Sequence, residues 1–216
     1  MDRVTIKKRA KEFAFANKWN IWKAILLVSA INYATSFCLS TIANIIGLDT
    51  DGIIFSLVSF ALVLAIMPLQ VGFASYLIKL INGKEINITE ELFARYKDGS
   101  MFKIIIVTFV AGLIIGAMSL LLVIPGIIFA IKYSMLSFVL AEQSLDDMNK
   151  EEAYKVSSRM MDGHKMEYFI FILSFLGWAL LCCLTLGILY IWIVPYYYTA
   201  NVMWYEELKK MLLNII

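Results

Sequence analysis

Residues 101–126 read MFKIIIVTFVAGLIIGAMSLLLVIPG. After Lys103 no charged side chain occurs until Lys132. Such a run outlasts the roughly 20 residues that a helix needs to cross about 30 Å of hydrocarbon. It holds one reversal signal, Ile124-Pro125-Gly126. Pro125 suits the first turn of a helix, and Gly126 permits a tight reversal. The stretch therefore reads as the tip of a hairpin between two apolar helices.

Outward from this tip the pattern recurs. Spans are expected at about 21–46, 53–81, 102–123, 125–141, 167–186 and 188–206. The second is long and contains Pro68, which predicts tilt, a kink or an extension into the cytosol. The fourth is short. The outer connections are small: Gly47 to Gly52, the Pro125 turn, and Thr185-Leu186-Gly187. The 216 residues are 61% apolar and 17% charged, with a mean hydropathy of +0.78. A soluble domain is about 45–50% apolar and about 25% charged. The expected fold is an all-α membrane protein over residues 1–216 as one domain. It has six transmembrane helices as three hairpins, with short amphipathic interfacial helices on the cytoplasmic side.

The bases orient the chain. Eighteen of the nineteen Lys and Arg residues lie before residue 24, between 79 and 103, between 150 and 165, or at 209–210. Six spans put these segments on one side, and the bias of Lys and Arg toward the cytoplasm makes that side internal. A multi-pass protein of the cell membrane with both termini cytoplasmic follows. The first apolar run is too long and polar for a signal peptide and no small-residue cleavage site follows it, so it reads as an uncleaved span. The basic arm suits anionic lipid heads rather than nucleic acid. A membrane-protein partner or a second copy of the chain is the other expected contact. Cys38, Cys182 and Cys183 fall within spans and read as small buried residues rather than as a metal site or disulfide framework.

The inner segments 3–18, 87–99 and 149–163 read as helices lying in the interface. The first is basic with Val4, Ile6, Phe13 and Phe15 interleaved. In the third, Asn149 and Glu152 form a capping box, and Ala153, Val156 and Met160 share a face. Two of the segments end alike: Arg95, Asp98, Gly99 and Arg159, Asp162, Gly163. Arg and Asp three apart can pair, and the Gly ends the helix. The first arm fits the slot loosely, with Asn17 in the glycine position. Three repeats of an interfacial helix followed by a hairpin are inferred, related by rotation about the membrane normal. Convergence at two short motifs is the alternative.

From about residue 120 onward the chain resembles a known family. The residues are Leu122-Val123-Ile124-Pro125-Gly126-Ile127-Ile128, Tyr133-Ser134-Met135, the stretch Ser158 to Lys165, Leu173 to Trp178 (with Gly177), Thr185-Leu186-Gly187-Ile188, and Pro195-Tyr196. Together they resemble the bacterial integral membrane proteins grouped as domain of unknown function 975. Met203-Trp204-Tyr205 departs mildly from that pattern. The resemblance implies a multi-span membrane protein and brings no activity, cofactor or catalytic residue.

Few residues suggest chemistry. Lys132 lies about 10 Å past Pro125 along a helix, with no carboxylate inside a span, short of the end residues Glu167 and Glu206, to neutralise it. It reads either as a snorkelling lysine or as an anion site. On the first span Ser29, Asn32, Ser36, Ser40 and Asn44 form one polar stripe. This stripe either bonds a neighbouring helix or walls a hydrophilic path, which Ser56, Ser59, Gln70 and Asn201 would face. The only histidine, His164, stands beside Lys165 in a cytoplasmic corner and reads as part of the turn near lipid heads. Trp19, Trp22 and Trp204 fit an inner aromatic belt, whereas Trp178 and Trp192 read as deeper packing residues. Asn87-Ile88-Thr89 is a sequon that a cytoplasmic position would leave unmodified. No nucleotide, hydrolase or metalloprotease motif occurs, and no cofactor is implied. The expected role is a non-enzymatic, lipid- or protein-binding accessory or protective factor of the envelope. The alternative is a small transporter or channel using the polar stripe and Lys132.

Overall fold

A computed structural model describes residues 3–47, 49–50, 52–84, 86–142 and 150–213, the side chains of Lys150 and Glu151 excepted. The proposed Asn149 cap and Asp51 lie outside these residues. The described chain is helical without strands: α1 Arg3–Ala16, α2 Lys18–Ile46, α3 Ile53–Ile81, α4 Ile88–Lys97, α5 Met101–Leu121, α6 Val123–Lys132, α7 Leu136–Glu142, α8 Lys150–Met160, α9 Lys165–Leu173, α10 Leu176–Leu184 and α11 Tyr190–Leu213. Five stretches are long and apolar enough to cross a membrane: 18–46, 53–81, 101–121, 123–142 and 165–184. The expected sixth span is the first two thirds of α11. Its five tyrosines, Asn201 and Glu206 dilute its apolar character.

Local signals act where the sequence places them. Gly99 and Gly163 take φ of 71° and 78° behind α4 and α8, a region where a Cβ is strained. Arg95 pairs with Asp98 at 4.0 Å, but Asp162 pairs with Lys165 at 3.2 Å rather than with Arg159. Asn17 has φ −103°, so α1 and α2 are separated by a different, one-residue break. The Asn87 side chain accepts from the Thr89 N–H and hydroxyl, so the sequon is a helix cap. The α5–α6 reversal is made at Leu122, with extended φ −157° and ψ 139°, and Pro125 follows in the first turn of α6. Gly126 serves close packing instead of the turn: a Cβ there would stand 2.7 Å from the Ser119 Cα.

Each of the three short amphipathic helices lies against another helix. α4 lies along α3, α8 along α7, and α1 along α11. Each amphipathic helix docks on the last helix of the preceding unit, and the first docks on the last, closing a ring of three. At the α3–α4 contact a Cβ on Gly72 would stand 2.5 Å from the Leu92 carbonyl oxygen. The Tyr96 hydroxyl donates to the Ala65 carbonyl at 2.8 Å. On α8, Ala153, Ser157 and Met160 are buried. On α1 the buried face is Ile6, Ala10 and Ala14, one residue per turn, whereas Val4 and Phe15 are exposed. The alanines bring α1 close to α11, a contact that large apolar side chains would hold off.

The third unit departs from an upright hairpin. Trp22 Nε1 donates to the Ile191 carbonyl at 2.8 Å, and Lys18 Nζ lies 5.9 Å from the Trp192 ring. A full hairpin would hold Ile191 about 30 Å from Lys18. α9 breaks at Ser174-Phe175, and no residue of α10 is buried. Trp178 and Trp192 are exposed, while Trp204 is fully buried beside Phe171, 4.6 Å between ring centroids. That inverts the expected placing of these three tryptophans, because the core is carried by α11 from Val194 onward and not by α10 or the first residues of α11.

Candidate functional site

A cavity of about 890 Å³ lies between α2, α3, the α6–α7 break with α7, α9 and α11. α2 presents Ser29, Asn32 and Ser36 to it, α3 presents Gln70, and α11 presents Asn201. Ser29, Asn32, Ser36, Gln70 and Asn201, all read as parts of a polar path, thus meet in one place. Gln70 is exposed between buried Leu69 and Val71, which aims it into the opening. The stripe divides, since Ser40 and Asn44 lie beyond the cavity, and Ser56 and Ser59 do not line it. Instead the Ser56 hydroxyl donates to the Gly52 carbonyl of its own helix at 3.1 Å.

The wall mixes apolar side chains with uncharged polar ones: among the described residues no Asp, Glu, Lys or Arg lines the cavity. Its groups are held in place. Asn32 Nδ2 donates to the Val28 carbonyl at 2.8 Å, leaving the amide oxygen as an acceptor. Asn201 Nδ2 donates to the Tyr197 carbonyl, and its Oδ1 accepts from the Tyr168 hydroxyl, both at 2.8 Å. Phe73 and Tyr198 meet edge to face at 5.1 Å and close one side. A smaller space of about 170 Å³ adjoins, sharing Asn32, Gln70 and Ser137 and reaching Thr108. Ser134, Ser137, Tyr168, Tyr197 and Tyr198 were not foreseen as lining residues. Their one sequence signal was Ser134 and Ser137, three apart on the short fourth span.

Lys132 is not part of this cavity. α6 ends at Lys132, and residues 133–135 turn before α7. The Ser157 hydroxyl of α8 donates to the Lys132 carbonyl at 3.1 Å. Lys132 therefore stands with Lys155 and Arg159 at the base-rich end, in a separate cleft. It also falls near the middle of the 123–142 stretch that is long enough to cross a membrane, and what the structure adds is its company: Lys155 and Arg159 line the same cleft.

The repeated turn motifs are structural. Arg95 donates to the Ala141 carbonyl and ties α4 to α7. His164 Nδ1 lies 3.1 Å from a Glu167 oxygen, within its own turn. Burial pushes the Glu91 carboxyl up. Bonds from Lys79 and Ser75, with the charges of Lys79 and Arg95, outweigh that and hold it below the ordinary range. Pro195 and Tyr196 are buried in α11, whereas Gly177 has open space around it.

These features define, among the described residues, an all-helical chain with five apolar stretches long enough to cross a membrane, built around an uncharged cavity of mixed polar and apolar lining. Residues 110–211, just under half of the chain, match the family described as "Protein of unknown function (DUF975)". The match begins within α5 and ends within α11. No curated protein and no solved structure is similar to the chain.

Proposed function

We propose that the chain is an integral membrane protein of a bacterial cell envelope that binds an uncharged amphipathic guest, such as a lipid-like molecule, in its central cavity. It acts there as a non-enzymatic binding or accessory factor. The carrying observation is the cavity itself: about 890 Å³, polar at Asn32, Gln70, Ser137 and Asn201, apolar elsewhere, with no charged lining residue. Pockets of about 300–1,000 Å³ with a few placed polar groups suit small ligands. An ionised guest would find no counter-charge there and would bear its full desolvation cost.

The test is extraction of full-length protein in mild detergent, with its bound small molecules identified by mass spectrometry. A defined molecule should accompany the wild type and fall about tenfold in Gln70→Leu and in Ser137→Phe, the losses expected when a charge-free hydrogen bond or cavity volume is removed. The same molecules at the same level in both variants would refute the reading.

Transport is the second reading. The adjoining space past Gln70 toward Thr108 favours it, because it continues the polar surface. Flux through liposomes should then vanish in Asn32→Leu and persist in Lys132→Met, since Lys132 lies off the path. Wild-type protein with no flux for a broad panel of anions, peptides and metabolites would remove it.

The base-rich end is proposed to face the cytoplasm. The C-terminal turn of α11 sits there, with Lys209 bonded to Glu142 and Asn82 donating to Glu206. α1 also docks at this end, so the number of crossings is even. In a background lacking Cys38, Cys182 and Cys183, Asp51→Cys should react with an impermeant thiol reagent in intact cells, and Asn149→Cys should not. Thr185→Cys separates an upright third hairpin, which would label, from a third unit that turns back, which would not.

A further inference from the structure

The cleft around Lys132 is a second site, independent of the central cavity. It has a volume of about 380 Å³ and is lined by Lys132, Tyr133, Tyr154, Lys155, Ser158 and Arg159. Three bases meet there with Ser158 and two tyrosines, and among the described residues no carboxylate lines it. The walls come from two elements far apart in sequence, the end of α6 and one face of α8.

This is a built site rather than a surface accumulation of charge. The Ser157 hydroxyl, on a fully buried residue, donates to the Lys132 carbonyl and locks α8 onto the last turn of α6. The rings of Tyr133 and Tyr154 meet edge to face at 5.7 Å, and the Tyr154 hydroxyl donates to the Val107 carbonyl. The Lys132 ammonium lies 5.4 Å from the Phe129 ring centroid and 5.5 Å from that of Tyr133. These contacts restrain a long side chain whose freedom would otherwise be lost on binding. Arg159 brings a planar fork of donors suited to a phosphoryl group. One wall continues directly into exposed Ile124, Ile127 and Ile128 of α6, which is apolar surface adjoining the bases.

The geometry points to a phosphate-binding cleft that takes the phosphodiester of an anionic lipid, with Lys132 and Arg159 on the phosphoryl oxygens, Ser158 as a further donor, and the acyl chains along α6. Inorganic phosphate has the same chemistry at the cleft without the apolar contact.

Full-length protein in detergent is titrated with short-chain phosphatidylglycerol by native mass spectrometry, and with inorganic phosphate alone by calorimetry. The single variants Lys132→Gln and Arg159→Gln should each weaken phosphatidylglycerol binding about tenfold, as for a lost hydrogen bond to a charged group. Lys132→Arg should stay within about threefold of wild type, a charge-conserving change. Lys97→Gln, an exposed base on α4, should change nothing. Variant-sensitive binding of the lipid alone identifies the lipid as the source. The same loss with inorganic phosphate shows that the phosphoryl group suffices. Both probes bound equally by wild type and Arg159→Gln would overturn the proposal, as would an equal loss in Lys97→Gln. Arg159 is exposed, so its variant keeps the fold testable even where Lys132→Gln lowers the melting temperature.

Discussion

The two ends of the helical assembly contrast. At the base-rich end Leu69, Leu77, Leu92, Met161 and Trp204 are buried almost completely. At the opposite end Ile45, Ile53 and Leu120 are 78%, 80% and 91% exposed, although the side chains are of the same kind. Composition does not separate these regions; a bilayer around the exposed end, as proposed, would. In hydrocarbon an apolar side chain gains no transfer energy by meeting another, so helices associate through small residues and polar bonds. At a watery interface the hydrophobic effect is restored, and α1, α4 and α8 have apolar faces to bury. The polar ties also gather there: Glu91 with Ser75 and Lys79, Glu142 with Tyr205 and Lys209, and Arg95 with the Ala141 carbonyl.

Mutations at matched positions break or sharpen this contrast. The largest difference is expected between two tryptophans. Trp204→Ala should cost about 4 kcal/mol, the range for deleting a buried aromatic, whereas Trp178→Ala, at an exposed site, should stay within about 0.5 kcal/mol. Detergent melting curves measure both, and equal losses would erase the distinction.

Two glycines come next. Gly72→Ala places a Cβ 2.5 Å from the Leu92 carbonyl oxygen, so α4 must shift off α3. A loss of about 2–3 kcal/mol is expected for overpacking. Gly116 has open space around it, and Gly116→Ala should be neutral or gain up to about 1 kcal/mol of helix propensity. Gly72→Ala with an unchanged melting temperature would mean that the α3–α4 contact is loose.

The smallest effect concerns Glu91. Its carboxyl is lowered from the ordinary value of 4.5, so the folded state binds this proton less readily than the unfolded chain. The stabilisation is present above that ordinary value and is lost as pH falls through the lower folded value. Glu91→Gln should cost about 1–2 kcal/mol near neutrality and reduce the acid-side decline in melting temperature. An identical acid decline in wild type and variant would assign it to other groups.

Much of the helical layout was legible because its causes are local. Apolar run length marked the five long stretches, and Gly99 and Gly163 marked the ends of α4 and α8. On α2 the spacing of Ser29, Asn32 and Ser36 showed one face. The rest depended on distant pairings. Nothing in the α6 sequence shows that α8 returns to cover its last turn, so Lys132 read as isolated. Nothing near Trp204 marks it as core rather than belt, because an amphipathic indole suits both settings. The tyrosine-rich opening of α11 resembles a membrane interface by composition, yet most of its middle is buried.

By itself, then, the sequence determined that the chain is helical, where its apolar stretches run, and that three amphipathic segments, the first of them basic, precede them. These follow from backbone hydrogen bonding and side-chain periodicity within about twenty residues. Only the tertiary structure decided that α1 closes the ring on α11, that Asn32, Gln70 and Asn201 share one cavity, and that Lys132 belongs with Arg159. Those outcomes rest on contacts between residues tens to well over a hundred positions apart, whose geometry depends on packing that no local pattern encodes.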